Sequence, residues 1–212
     1  MGDSMKVELV DSAGGDLSVV NSARVSFAKE VIDMDTNDVK LIRYLAKHRH
    51  DTPFRHNFIQ LRCQVPLFLA RQLMKHQAGL TWNEESRRYI DSTPEFYYPK
   101  NWRARPDKSI KQGSGKTLNN AYTGQYEVMI GKMMHYYENL LESGIAPEMA
   151  RMVLPQSMMV NFIWSGNLLA FFHVYQLRSG EGAQQEAVEF AKLLKEAIEP
   201  KFRISWDALE TR

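Results

Sequence analysis

Residues 57–77 read NFIQLRCQVPLFLARQLMKHQ, and their hydrophobic period changes halfway along. Every second residue from Ile59 to Val65 is apolar, which predicts a strand with one buried face. Pro66 suits the first turn of a helix, and the apolar residues after it recur at helical spacing. A half-buried strand that runs directly into a helix favours the α+β class of folds.

The rest of the chain predicts many helices and few strands. Two further strands are expected at 6–11 and 156–166. Further helices are expected at residues 16–27, 37–50, 121–143, 146–155, 167–178 and 182–200. Asn37 is placed to cap the second of these helices, and Val25 and Tyr44 are expected on buried helix faces. We therefore predict a helix-rich single domain with a small antiparallel sheet.

Length and composition place the chain among ordinary globular proteins. Its 212 residues are 44% hydrophobic and 25% charged, which predicts one domain over 1–212. Residues 1–4 precede a second methionine and are expected to be left from cloning, and the polar residues 100–120 predict a flexible loop. A net charge of +2 does not by itself call for nucleic acid or a membrane surface. No signal peptide is visible, and a cytoplasmic location is expected.

Neither the single cysteine nor the histidines predict a nucleophile or a metal centre. Because Cys63 is the only cysteine, the chain cannot form an intramolecular disulfide. Its place on the apolar face of a strand predicts a buried, unreactive thiol. The histidines that could suggest a metal are His48, His50, His56 and His76. No carboxylate or cysteine spacing supports them as ligands, so polar-site or structural roles are favoured and no metal is expected.

The stretch QGSGKT at 112–117 is similar to the end of a phosphate-binding P-loop. The full pattern needs a glycine five residues before Gly115, where this chain has Ile110. It also needs a preceding strand, where this chain has a charged loop. A loop is therefore favoured over a nucleoside triphosphatase site.

The most polar stretch, KHQAGLTWNEESRRY at 75–89, follows the strand and helix directly. Four polar residues stand at helical i, i+4 relations before and within it, which are Arg71, Gln72, Lys75 and His76. The chain is then expected to turn and to present Glu84, Ser86, Arg87, Arg88 and Tyr89. Guanidiniums and hydroxyls in this number suit a phosphorylated ligand with a polar ring. Composition alone leaves a solvated helix edge followed by a charged loop equally open.

Several short segments, in this order along the chain, resemble the flavin-dependent thymidylate synthases. They are ARVSF (23–27), HDTPFRH (50–56), ARQLMKHQ (70–77), NEESRRY (83–89), ARMVLP (150–155), FIWSGN (162–167) and LRSGEGAQQE (177–186). The family signature is Arg-His-Arg, seven residues and a serine. Here it reads Lys75-His76-Gln77, with eight residues before Ser86, and Arg55 stands where an acidic residue is common.

The resemblance implies an α+β enzyme that makes dTMP from dUMP. Methylenetetrahydrofolate would give the carbon, reduced FAD the hydride, and NADPH would reduce the flavin. The resemblance also implies a homotetramer with active sites between subunits and no role for nucleic acid or a membrane. The absence of a G-x-G-x-x-G motif means that no Rossmann domain is expected to bind the FAD.

The resemblance implies a role for individual residues as well. Arg178 is the expected catalytic residue, stabilising negative charge on the pyrimidine. The dUMP set is Arg71, Gln72, Lys75, Glu84, Ser86, Arg87, Arg88, Arg151 and Arg178. The FAD set is Ser26, Thr52, Lys75, His76, Gln77, Glu84, Asn167 and His173. Ser86 is expected to bind ligand and not to act as a nucleophile, since nothing in the sequence identifies a base that would activate it. Asn167 and His173 have a structural alternative as satisfied polar residues on an apolar helix.

Two other functions stay open. The altered signature favours, as a close alternative, a flavin- and folate-dependent hydroxymethylase acting on C5 of a pyrimidine nucleotide. A protein of a different class would bind nucleic acid through Arg87, Arg88 and the basic loop 102–116.

Overall fold

A four-stranded antiparallel sheet forms the centre of the protein, which is described here from a computed structural model covering residues 5–106 and 113–212. The strands are β1 (Lys6–Ala13), β2 (Phe58–Pro66), β3 (Leu80–Glu84) and β4 (Met159–Gly166). Their order across the sheet is β1-β2-β4-β3. Residues 1–4, and residues 107–112 of the predicted loop 100–120, lie outside the described part.

Eight α-helices are found in the described residues. They are α1 (Asp16–Arg24), α2 (Thr36–Lys47), α3 (Leu67–Leu73), α4 (Thr123–Glu142), α5 (Pro147–Ala150), α6 (Leu168–Ser179), α7 (Gln185–Ile198) and α8 (Arg203–Glu210). Short 3₁₀ turns lie at Val25–Phe27, Thr52–Arg55, Arg151–Val153 and Glu199–Lys201. The predicted α+β class with one small antiparallel sheet is confirmed.

The core lies between one face of the sheet and helices α6 and α7. The alternating residues Ile59, Leu61, Cys63 and Val65 are all fully buried, as the sequence pattern predicts. On β4, the ring of Trp164 meets Phe171 of α6 edge-on at 5.4 Å between centroids. This packing fixes α6 against the sheet, and α6 carries several of the predicted site residues.

The edge strand β3 was not expected from the sequence, where a turn is predicted. It pairs with β4 from Leu80 opposite Gly166 to Glu84 opposite Phe162. Trp82 stacks on Phe162 with 3.5 Å between ring centroids, so tertiary contact stabilises a strand with little apolar patterning of its own.

Several predicted boundaries and faces are wrong. Helix α3 ends at Leu73, so the residues after it form turns and the predicted helix to residue 77 is too long. The cap of α2 is Asp35, whose carboxylate accepts two backbone N–H groups, and not Asn37. Val25 and Tyr44 are 70% and 54% exposed instead of buried. The chain also continues past the predicted last helix into α8, because Pro200 lies in a 3₁₀ turn that breaks the helix.

Candidate functional site

Arg178, the predicted catalytic residue, lies at the last turn of α6 beside the end of α3. Its Nε donates to His76 Nε2 at 3.0 Å, and its Nη2 donates to the backbone carbonyl of Gln72 at 3.1 Å. Both partners stand in the predicted polar stretch or just before it. Because α3 ends at Leu73, the chain turns sharply and brings these residues to one place.

The contact with Arg178 fixes the protonation state of His76. A guanidinium can only donate, so His76 Nε2 must be the acceptor and the ring proton sits on Nδ1. Burial is the main cause that lowers the pKa of His76, and the charges of Arg178 and His173 lower it further. His76 is therefore a neutral imidazole, and its Nδ1–H, which no acceptor in residues 5–106 and 113–212 takes up, could donate to a ligand.

A second cationic group lies beside His173. Burial and the guanidinium of Arg212 lower the pKa of His173, Asp51 opposes them, and Arg55 and Arg49 lower it further. Arg212 donates to Asp51 Oδ1 at 2.9 Å, with its side chain only 2% exposed. Its Nε and Nη2 are buried and find no acceptor in the described part of the chain.

The chemistry of this group fits an anionic cofactor. Asp51 immediately precedes the 3₁₀ turn Thr52–Arg55, which packs against α6 and contains the predicted cofactor residue Thr52. Imidazole, hydroxyl and guanidinium donors around orphaned buried N–H groups are what a diphosphate requires.

Four of the predicted substrate residues line a separate cleft of about 390 Å³. Of the predicted set, Glu84, Ser86, Arg87 and Arg151 line it, together with apolar residues of α3 and β4. Arg88 lies nearby and pairs with Glu148 at 3.7 Å. Ser86 Oγ accepts the backbone N–H of Arg88 at 3.3 Å. Two carboxylates, Glu84 and Glu85, line the cleft beside the arginines, but no histidine does, and in the described residues Ser86 donates to neither carboxylate. The arginines and Ser86 suit an anion, and the geometry shows no base in place to activate Ser86 as a nucleophile.

Strand β3 separates the two halves of the predicted polar stretch. Its residues, Leu80 to Glu84, span about 13 Å at the usual rise of a strand. His76 lies before one end of the strand and Ser86 after the other. The structure thus divides one polar segment into two sites instead of one continuous loop.

Some predicted residues are not brought into either group. Ser26 lies in the exposed 3₁₀ turn Val25–Phe27, and Arg71, Lys75 and Gln77 are exposed without side-chain hydrogen bonds to described residues. Asn167 has a structural role, because its Oδ1 accepts the N–H of Ala170 and caps α6.

A chain of hydrogen bonds that sequence reasoning missed runs from Gln72 to Arg103. Gln72 Nε2 donates to Gln184 Oε1 at 2.6 Å, and Gln184 Nε2 donates to Glu186 Oε2 at 2.9 Å. Arg103 Nη2 lies 2.8 Å from both carboxylate oxygens of Glu186, and Tyr97 donates to Oε1 at 3.3 Å. Burial alone would raise the pKa of Glu186, but the bonds from Arg103 and Gln184 outweigh it and lower the pKa. The segment 177–186 signalled a family likeness but not this pairing.

The hydrogen-bond chain from Gln72 to Arg103 borders a cleft of about 370 Å³ with aromatic walls. Its walls include Phe68, Tyr97, Trp102 and Tyr126, with Arg103 and Glu186 at one side. Part of the predicted loop 100–120 forms this border. Its two described arms pair through Ala104, which donates to Lys116 and accepts from Gly115, both at 2.9 Å.

The alternative motifs gain no support from the structure. After the QGSGKT stretch the next helix, α4, starts only at Thr123, so the strand–loop–helix context of a P-loop is missing from residues 113–123. In the described ranges, no three His, Cys, Asp or Glu side chains are grouped to hold a metal ion. Burial raises the pKa of the Cys63 thiol, which lies on β2 opposite Val7 of β1 and Phe162 of β4, two apolar neighbours that cannot activate it. No helix in the described ranges is long and apolar enough to cross a membrane.

The α+β fold thus carries three features that suit anionic ligands. They are the half-buried Arg178 beside a neutral histidine, the cationic group beside His173, and the cleft lined by Arg87 and Arg151 (the arginine-lined cleft). Residues 8–202 match the family described as thymidylate synthase complementing protein. The flavin-dependent thymidylate synthase of Kosmotoga olearia is 35% identical over 206 residues, covering 95% of this chain and 88% of the relative. The enzyme of the same name from Thermus thermophilus is 33% identical, covering 96% and 75%.

Solved structures show a similar fold in an enzyme that acts on pyrimidine nucleotides. The UMP/dUMP methylase PolB from Streptomyces cacaoi, bound with 5-Br dUMP, superposes with a TM-score of 0.88 at 30% identity, covering 99% of this chain and 96% of PolB. The chain belongs to the thymidylate synthase complementing protein family. The predicted family is therefore confirmed, as is the prediction of an enzyme of the methyltransferase class.

Proposed function

We propose that this chain is a flavin-dependent thymidylate synthase that converts dUMP to dTMP. The observation that carries the proposal is the half-buried Arg178 guanidinium, held between His76 and Gln72. It supports this function because the relatives are named flavin-dependent thymidylate synthases and PolB is titled as bound to brominated dUMP and UMP.

Arg178 would act on the pyrimidine ring. C5 of uracil becomes nucleophilic when negative charge builds up on the ring, and a fixed guanidinium stabilises that charge. C5 then bonds to the methylene carbon of the folate, and the C5 proton is lost. The bond from that carbon to the folate nitrogen breaks and tetrahydrofolate leaves, after which the carbon takes up a hydride. The buried Cys63 cannot supply the alternative route, which is addition of a thiolate to C6.

The arginine-lined cleft would bind the nucleotide phosphate. Arg87 and Arg151 line the cleft with Ser86, and Arg88 lies beside it. Guanidiniums bind phosphate oxygens through two parallel hydrogen bonds, which fixes the nucleotide in position as well as adding affinity. Ser86 would add one donor.

The cluster beside α6 would hold the FAD. Of the predicted cofactor residues, His76, His173 and Thr52 would contact it, since the charge of His173 lowers the pKa of His76 and Thr52 lies in the 3₁₀ turn that packs against α6. When bound, FAD reduced by NADPH supplies the hydride that turns the methylene carbon into a methyl group. The exposed residues Ser26, Lys75 and Gln77, and Glu84 at the far end of β3, would reach it only in an assembly.

We also propose that the sites are completed in a homotetramer. Strand β3 keeps the two groups apart within one chain. Large apolar side chains are exposed on the described surface, including Phe27 at 77% and Ile32 at 86%, and Met152, which lines the arginine-lined cleft, at 73%. Exposed apolar residues in this number favour a covered interface.

The test is anaerobic incubation of the purified protein with dUMP, methylenetetrahydrofolate, FAD and NADPH, followed by mass analysis of the nucleotide. We expect dTMP, which is heavier than dUMP by one CH₂ group, or about 14 Da. A 5-hydroxymethyl product without dTMP would instead establish the hydroxymethylase alternative. A colourless protein that makes no product but binds DNA in a salt-dependent way would establish the nucleic-acid alternative.

Methylation of UMP is a second candidate, because PolB is titled a UMP/dUMP methylase and resembles this chain closely. The same incubation with UMP separates the two. Formation of 5-methyl-UMP at a kcat/KM equal to or above that for dUMP would make the ribonucleotide the substrate.

A further inference from the structure

The hydrogen-bond chain from Arg103 to Gln72 has a direction that its chemistry dictates. Glu186 receives donors from Arg103, Tyr97 and Gln184, so both of its oxygens act as acceptors. Gln184 must therefore turn its amide nitrogen towards Glu186 and its oxygen towards Gln72. Gln72 in turn must present its nitrogen to Gln184.

This leaves the amide oxygen of Gln72 for a ligand. No donor among the residues that the structure describes reaches Gln72 Oε1, and the backbone carbonyl of the same residue holds Arg178. This hydrogen-bond chain, Arg103–Glu186–Gln184–Gln72, is called the relay. It ends beside the guanidinium of Arg178, which is assigned to the pyrimidine ring. A ring with an N–H at position 3, as in uracil, matches this oxygen, whereas the bare N3 of cytosine repels it.

We propose that Glu186, fixed by Arg103, is a positioning residue that selects uracil over cytosine by orienting Gln184 and through it Gln72. The proposal rests on the proposed function, since it assumes that a pyrimidine nucleotide binds beside Arg178. Glu186 itself is 3% exposed and acts only through the two glutamines.

The burial of the relay makes it more than a surface ion pair. The side chains of Arg103 and Glu186 are 20% and 4% exposed, and Gln184 caps the start of α7, where its carbonyl accepts two backbone N–H groups. The backbone of Gln184 therefore cannot move to compensate for a flipped side chain. Only the amide orientation is free to change, and Glu186 sets it.

Glu186→Gln should release the relay from its single direction. Each carboxylate oxygen of Glu186 meets two donors, Arg103 and Tyr97 at Oε1 and Arg103 and Gln184 at Oε2. An amide has only one oxygen, so one of these two positions would face its NH₂ group. Where the NH₂ group faces Gln184, Gln184 and then Gln72 flip, and Gln72 turns a donor, in place of an acceptor, towards the ring. In either orientation the charge that holds Gln184 in one orientation is lost.

The experiment measures Kd for dUMP and dCMP by calorimetry on the flavin-loaded full chain, for the wild type and three variants. In the wild type we expect a clear preference for dUMP. In Glu186→Gln we expect the dUMP/dCMP affinity ratio to fall by roughly tenfold or more, since mismatched hydrogen bonds cost about that much. Gln184→Met, which breaks the relay without removing a charge, should give an intermediate ratio. Glu210→Gln removes a carboxylate that pairs with Lys195 at 2.7 Å elsewhere and should leave the ratio unchanged.

The outcomes separate the two proposals. A wild type that binds dUMP and discriminates against dCMP, with the same ratio in Glu186→Gln and Gln184→Met, overturns the relay alone and leaves Glu186 as a structural residue, even if the melting temperature falls. A wild type with no preference between the nucleotides also overturns it. A wild type that binds neither nucleotide and forms no methylated product overturns the proposed function, and the relay with it.

Discussion

Replacing Arg178 with alanine tests the centre of the candidate site. The change removes the donor to His76 Nε2 at 3.0 Å and the donor to the Gln72 carbonyl at 3.1 Å. It also removes a positive charge that lowers the pKa of His76. Burial, the larger cause, remains, so the pKa of His76 should rise only part of the way to its ordinary value of 6.5.

The expected magnitudes differ for stability and for turnover. Two charge-assisted hydrogen bonds at a half-buried position are together worth about 1–3 kcal/mol of unfolding free energy. In a domain of this size that lowers Tm by roughly 2–10 °C. Loss of a donor that stabilises developing negative charge costs about 100- to 1,000-fold in kcat. We therefore expect a variant that still folds, with a modest fall in Tm, but whose kcat is greatly reduced.

The assay compares kcat, flavin absorbance and the NMR titration of the His76 ring in Arg178→Ala and the wild type. We expect bound flavin to be kept, kcat to fall by about 100-fold or more, and the His76 pKa to rise. Arg43→Ala, which removes a 63% exposed arginine paired with Asp207 at 3.5 Å, is the matched control and should leave kcat unchanged. Near-normal kcat in Arg178→Ala would refute the assigned role.

The same variant changes how stability depends on pH. The folded-state pKa of His76 lies below its ordinary value, so protonation favours the unfolded chain and stability falls as the pH drops through about 6.5. With its pKa closer to the unfolded value, His76 in Arg178→Ala should contribute less of this loss. An acid-side stability curve with unchanged slope would contradict the neutral state assigned to His76.

Three further predictions concern the strand and the cleft. Gly166→Ala should destabilise by about 2 kcal/mol or more in chemical denaturation, because a Cβ would lie 2.5 Å from the Gly79 carbonyl, whereas Gly131→Ala has open space and should not. Cys63→Ala should keep turnover within about threefold, since the buried thiol has no role in the chemistry, and a loss of about 1,000-fold would revive a thiolate mechanism. Ser86→Ala should raise the KM for dUMP by about 3- to 30-fold with kcat little changed, and abolished turnover would make Ser86 a nucleophile.

The sequence predicts well those elements in which the order of apolar and polar residues itself shows which side chains are buried. In strand β2 apolar and polar residues alternate, and every second side chain is buried in the core. Helix α6 is apolar over most of its length. Strand β3 could not be predicted this way, because its stability comes from Trp82 stacking on Phe162 some 80 positions later. Helix α8 had a usable signal, since Ser205 and Leu209 are buried at i, i+4, and it was missed.

The site shows a similar division. The resemblance supplied Arg178, His76 and the residues of the arginine-lined cleft, and the structure brings these together in two groups. The relay through Gln184 and Glu186 could not be predicted, because it joins residues 72, 103 and 186 by hydrogen bonds that leave no local pattern. The role of Asn167 as a helix cap was open to prediction, since asparagine before an apolar run is a usual cap.

The division of the polar stretch by β3 has a consequence for assembly. Strand β3 pairs with β4 and is held there by Trp82 stacking on Phe162, so the two ends of the polar stretch cannot fold onto each other and stay about 13 Å apart. Each cluster in one chain therefore lacks the partner groups that the other cluster carries. Two copies packed through their exposed apolar residues would bring the His76 group of one to the Ser86 cleft of the next. The extra residue of the signature falls between Gln77 and Ser86, in the segment that contains this strand, so it would alter the distance between the His76 group and the Ser86 cleft.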